Sequence, residues 1–224
     1  MSIFNQLIGK TVKLSVSGNK GSKAITGMLI DYGSDIVVLF NGERYIYLPK
    51  LHIQSINHCY DIEMEISRPD SIPIASDEET LSLRKVLMNA KGLFSEIFIT
   101  SNLSIHGYIT NILNDYFIFY SPVYKMMLIP LHHLKWLTPY EDSERPYDLS
   151  NEELPLLPFH VPMARTFTEQ CKKYEGKLVI FDLGKDSNRI GKLVKIENNQ
   201  IQLTVGRNET VFINVQHIKT IHLP

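Results

Sequence analysis

The chain has 224 residues, 44% of them hydrophobic and 10% aromatic, with a formal net charge of −1. That apolar content excludes a disordered chain, and no apolar run approaches the roughly 20 residues that cross a bilayer as a helix. The opening residues lack the basic and apolar regions of a secretion signal, so synthesis in the cytoplasm without a signal peptide is expected.

The near-zero charge hides a segregation. Residues 6–57, 81–137 and 171–224 carry +3, +3 and +4, whereas 58–80 and 138–163 carry −6 and −5. Weakly basic modules are therefore strung on acidic links.

In chain order, residues 2–8 predict a short helix stopped by Gly9. Residues 10–16 alternate, with Val12, Leu14 and Val16 on one face, and read as a strand. Turn chemistry at 19–23 leads to a strand over 25–31, in which Gly27 marks a bend. A third strand at 36–40 and a fourth at 44–48 flank the Asn41-Gly42 hairpin turn. Pro49-Lys50-Leu51-His52 makes a corner into a fifth short strand at 53–57. Five bent strands after a helix predict a small closed barrel, which removes exposed edges. The first link, 59–77, contains an alternating stretch at 61–66 that could add a strand.

The second block opens with a capping-box-like Ser76-Asp77-Glu78-Glu79-Thr80 and a helix that stops near Gly92. Strands follow at 94–100, 105–113, 116–120 and 125–129, the last two apolar on both faces and hence expected to be covered on both sides. The proline-rich link 139–163 carries Leu154, Leu156, Leu157 and Phe159 and reads as a tether lying across a neighbouring module. The third block predicts a helix over 164–174 ended by Gly176, then strands at 177–183, 190–197, 200–205 and 210–214.

The three blocks are copies of one another. His52-Ile53-Gln54-Ser55-Ile56 returns as His133-Leu134-Lys135-Trp136-Leu137 and as His217-Ile218-Lys219-Thr220-Ile221. Gly27, Gly107 and Gly191 precede His52, His133 and His217 by nearly equal distances. A fixed period makes this a tandem repeat. The expected organisation is repeat 1 over 1–58, an acidic linker over 59–77, repeat 2 over 78–138, a proline-rich acidic linker over 139–163 and repeat 3 over 164–224.

A helix, a strand–turn–strand with a bend glycine, two further strands and a short corner strand resembles the Sm fold. Gly9-Lys10-Thr11-Val12, Gly27-Met28-Leu29, Asp35-Ile36-Val37, Tyr45-Ile46-Tyr47 and the His52 block, and again Gly176-Lys177-Leu178-Val179, Gly191-Lys192-Leu193, Gln200-Ile201 and the His217 block, form a second pattern. It is similar to the tandem repeats of the Bacillus spore coat protein B-like family. The resemblance implies an all-β chain with short helices, built as three tandem Sm-like or SH3-like five-stranded barrels. It further implies a structural component of the spore coat without the family's Ser/Lys/Arg-rich tail, whose partners are other coat proteins and further copies of itself.

No nucleophile elbow, zinc-protease motif, phosphate loop or dinucleotide fingerprint occurs, so no catalytic residue, cofactor or metal is expected. Two cysteines, Cys59 and Cys171, are too few for a disulfide framework or a closed zinc site. The repeat histidines lie in different modules, so a structural role at each corner is expected. The rival reading is single-stranded RNA binding of the Sm type, with Arg44, Tyr45, Lys125 and Arg207 near the corresponding hairpins. Sm-type barrels associate by pairing the fourth strand of one with the fifth of the next. This predicts assembly edges at 53–57, used internally, and at 218–222, with Ile218, Thr220 and Ile221 facing an external partner.

Overall fold

A computed structural model of the chain describes residues 3–18, 21–59, 66, 73–74, 81–100, 103–141, 144–150, 152–153 and 162–224. The first repeat contributes β1 (Thr11–Gly18), β2 (Gly21–Tyr32), β3 (Ile36–Phe40), β4 (Tyr45–Pro49) and β5 (Ile53–His58). The second contributes α1 (Leu83–Asn89), β6 (Phe94–Thr100), β7 (Leu103–Ile112), β8 (Tyr116–Ser121), β9 (Lys125–Pro130) and β10 (Trp136–Pro139). The third contributes α2 (Phe167–Lys172), β11 (Leu178–Phe181), β12 (Ile190–Glu197), β13 (Gln200–Val205), β14 (Thr210–Asn214) and β15 (Ile221–His222). The described residues are thus mostly β, with their strands in one open antiparallel sheet and two short α-helices.

The strand order β5–β1–β2–β3–β4 of the first repeat recurs as β10–β6–β7–β8–β9 and as β15–β11–β12–β13–β14. Within a repeat the fourth and fifth strands do not pair with each other. Instead β4 pairs with β10, and β9 pairs with β15. The expectation of separately closed barrels is corrected accordingly: each fourth strand gives its outer edge to the fifth strand of the following repeat.

Packing divides the chain into two compact units, 1–106 with 134–149 and 107–133 with 150–224, so the second repeat is shared between them. The first unit is built on Val12, Leu14 and Val16, packed with Leu29, Leu39, Leu48 and Trp136. The second is built on Phe167, Cys171, Phe181, Leu193, Leu203 and Ile221, together with Tyr116 and Leu128. Full burial of each such side chain contributes about 1.5–3 kcal/mol.

The repeat glycines sit where strands approach most closely. A Cβ on Gly27 would lie 2.7 Å from the Phe40 carbonyl oxygen, and Gly107 and Gly191 face the Tyr120 and Thr204 carbonyls in the same way. Only a residue without a side chain lets the second strand bend this tightly onto the third.

Several local expectations shift. Residues 3–6 form a single 3-10 turn rather than an α-helix. The capping role expected of residues 76–80, which lie outside the described residues, belongs to Ser82: its hydroxyl accepts the Lys85 N–H at 3.3 Å. Helix α2 starts at Phe167 behind the Thr166 cap rather than at 164. The possible strand at 61–65 and the apolar tether residues 154–159 also lie outside the described residues. Ile66 and Ile74 of the first link are buried, and Ile74 is held to the Tyr47 hydroxyl by two hydrogen bonds of 3.0 and 3.3 Å.

Burial separates the repeats. Strand β4 is buried at all five positions and β8 at five of six, whereas β12 and β13 alternate between buried and more exposed positions. Double coverage is therefore not confined to the second repeat. It is found in the two repeats that have another repeat after them.

Candidate assembly interface

Two junctions join one repeat to the next, and they share a construction. In the first, Leu137 of β10 stands opposite Tyr47 of β4. In the second, Ile221 of β15 stands opposite Leu128 of β9, and His222 opposite Met127. Tyr47 and Leu128 each lie two residues before the residue that precedes the corner turn, and Leu137 and Ile221 each lie four after the corner histidine. The register is the same in both.

A hairpin acid adds a second contact at each junction. Asp35, between β2 and β3, accepts the N–H of Leu83, the first residue of α1, at 2.8 Å. Asp115, between β7 and β8, accepts the N–H of Phe167, the first residue of α2, also at 2.8 Å. Each acid thus satisfies an amide that the helix itself leaves unpaired. The matching position in the third repeat is Asn199. Asp35 and Asp115 stand in hairpins that turn chemistry alone explains, so their capping role is invisible until the following helix is placed beside them.

The corner histidines follow the same logic. His52 is buried, and its Nδ1 accepts from the Lys135 ammonium at 3.0 Å, with Ser17 Oγ at 3.4 Å. His133 approaches the Gln216 carbonyl oxygen at 3.0 Å, with His132 beside it at 3.4 Å. His217 is exposed. His52 and His133 thus both contact the repeat that follows their own. Among the described residues no group of three His, Cys, Asp or Glu side chains is placed to hold a metal ion.

The predicted edge residues require correction. Ile218, Thr220 and Ile221 are 0%, 1% and 0% exposed, and β15 is hydrogen-bonded on both sides, to β11 and to β9. They form an internal junction. Residues 53–57, expected to be internal, belong to β5, which ends the strand order and pairs with β1 alone among the described residues. At the opposite end of that order lies β14, paired only with β13.

A polar cluster in the first unit is the other chemically notable feature, and no spacing in the sequence announced it. The Tyr140 hydroxyl is hydrogen-bonded to His106 Nδ1 at 2.6 Å; His106 Nε2 lies 3.2 Å from Ser104 Oγ and 4.0 Å from Glu96; Arg44 lies 3.8 Å from the same carboxylate. Burial, reinforced by Glu96, pushes the Tyr140 phenol up to about 12, so it stays neutral at ordinary pH. An open groove of about 380 Å³ runs past Arg44 and Glu96 to the stacked Phe98 and Trp136 rings. Of the residues considered for RNA, Arg44 faces Glu96, Tyr45 is buried against Phe40, Lys125 donates to the Pro122 carbonyl, and Arg207 is exposed in the turn after β13.

No helix among the described residues is long and apolar enough to cross a membrane. Residues 166–221 match a family model described as the YwrJ third domain. The whole chain is 41% identical over 228 residues to a Bacillus subtilis (strain 168) protein named "Uncharacterized protein YwrJ", with the full length of both chains covered.

Proposed function

We propose a non-enzymatic, structural role for this chain, which belongs to the YwrJ family: a building block of the bacterial spore coat, made of three Sm-like repeats and assembling through its strand edges. The observation that carries this reading is the repeated junction. The chain joins its own modules twice by the same fourth-to-fifth strand pairing and leaves one edge of each kind without a partner strand among the described residues. Exposed strand edges are ready templates for another chain. The third-domain family model over 166–221 supports a three-module organisation, and the resemblance to a Bacillus coat family agrees with the source of the 41% identical relative.

Single-stranded RNA binding is the alternative reading, and the same test separates the two. A fluorescent fusion followed through sporulation is expected to gather at the spore periphery, and the chain to be recovered in coat extracts. A diffuse signal, with the chain crosslinked to RNA by ultraviolet light, would overturn the coat reading.

A further inference from the structure

The two ends of the sheet are complementary to each other in the terms the chain itself uses. Within the third repeat, the position matching Tyr47 and Leu128 is Phe212: it too lies two residues before the residue that opens the corner, here Asn214. Tyr47 and Leu128 are each 1% exposed under a following fifth strand, whereas Phe212 is 67% exposed. Val194 repeats the contrast: it is 40% exposed, and its counterparts Ile30 and Thr110 are buried. On the other end, the position matching Leu137 and Ile221 is Ile56, which is partly exposed where those two are buried. His217 is exposed, where His52 and His133 engage the next repeat.

Resting on the assembly reading above, we infer that β14 of one copy pairs antiparallel with β5 of a second copy of this chain, Phe212 opposite Ile56, in the register of the two internal junctions. Such a contact is heterologous, joining unlike surfaces. It does not stop at a two-fold dimer but continues until a ring closes or a filament grows. The face around Phe212 is more polar than its counterparts: Gln200 and Gln202 replace Ile36 and Val38 of the first repeat and Tyr116 and Ile118 of the second. The intermolecular junction is therefore weaker than the internal ones and depends on concentration, with Phe212 as its apolar anchor.

The test is disulfide trapping in the full chain with Cys59→Ser, Cys171 being fully buried and out of reach. Differently tagged Phe212→Cys and Ile56→Cys chains are mixed and oxidised. Opposed residues on antiparallel strands bring their Cα atoms to about 4.5–5.5 Å, inside the range of roughly 4.4–6.8 Å that a disulfide spans. The expected product is a mixed dimer. Phe212→Cys alone and Phe212→Cys with Asn57→Cys give none, since neighbouring residues on a strand face opposite sides. In parallel, Phe212→Lys raises the concentration for half-assembly roughly tenfold or more with no loss of folded structure. A parent that multimerises while Phe212→Cys links to itself, or while the mixed pair stays unlinked, overturns this pairing and leaves edge assembly standing. A parent that stays monomeric at every accessible concentration overturns both.

Discussion

Gly27, Gly107 and Gly191 are placed by contact with a backbone, not by turn propensity. Adding a methyl group at any of them presses it onto the carbonyl of the strand opposite. Gly27→Ala and Gly191→Ala are each expected to lower stability by about 1–3 kcal/mol, read from denaturant midpoints. Replacing the capping acids is a gentler change: Asp35→Ala and Asp115→Ala each cost about 1 kcal/mol. An unchanged midpoint in both aspartate variants would remove the helix-capping account. The cysteines divide by burial. Cys171 is fully buried, which pushes its thiol far above the ordinary range, whereas Cys59 is partly exposed. Alkylation of the folded chain is expected to modify Cys59 alone, and mass spectrometry after digestion checks it.

At the scale of elements, β15 is short but holds both of its neighbours, and its central role explains why one expectation inverts. A lysine at Ile221 would place a charge between Phe181 and Leu128 in the core of the second unit. Ile221→Lys therefore unfolds or severely destabilises the protein. Phe212→Lys, on an exposed edge, leaves the melting temperature close to that of the parent. Strand β15 also carries a pH dependence. Burial lowers the pKa of His222, whose ring packs edge-on to Tyr124, below its ordinary value of 6.5. Between the folded and unfolded values the unfolded chain binds more protons, so stability rises with pH there and is level above 6.5. Acidification from 6.5 toward the folded value is thus expected to destabilise the protein. His222→Gln should flatten that slope in urea titrations at a series of pH values, and an unaltered slope would assign the effect elsewhere.

At the scale of the whole molecule, the repeat was legible because its markers are local. The alternation at Val12, Leu14 and Val16, the Asn41-Gly42 turn and the His-Ile blocks each report on their own few residues. Strand positions followed from these to within a few residues, while helix starts did not, because Ser82 and Thr166 cap later than the acidic run and Ala164 suggest. What the sequence could not show is which edge meets which. Ile218 and Ile221 have the apolar character of an interface, and they belong to one, but it lies inside the chain. Phe212 looks like an ordinary strand residue until its counterparts Tyr47 and Leu128 are seen to be covered. The cluster of Tyr140, His106 and Glu96 was unreadable because its members come from separate strands and a loop.

On the reading proposed above, the chain assembles with itself through its strand edges and not on nucleic acid. Light scattering of the purified protein across a range of concentrations, with and without total RNA at low and moderate salt, tests it most directly. Mass that grows with concentration and is indifferent to RNA is the predicted result. A salt-sensitive gain in mass only when RNA is added, or a monomer throughout, would contradict it.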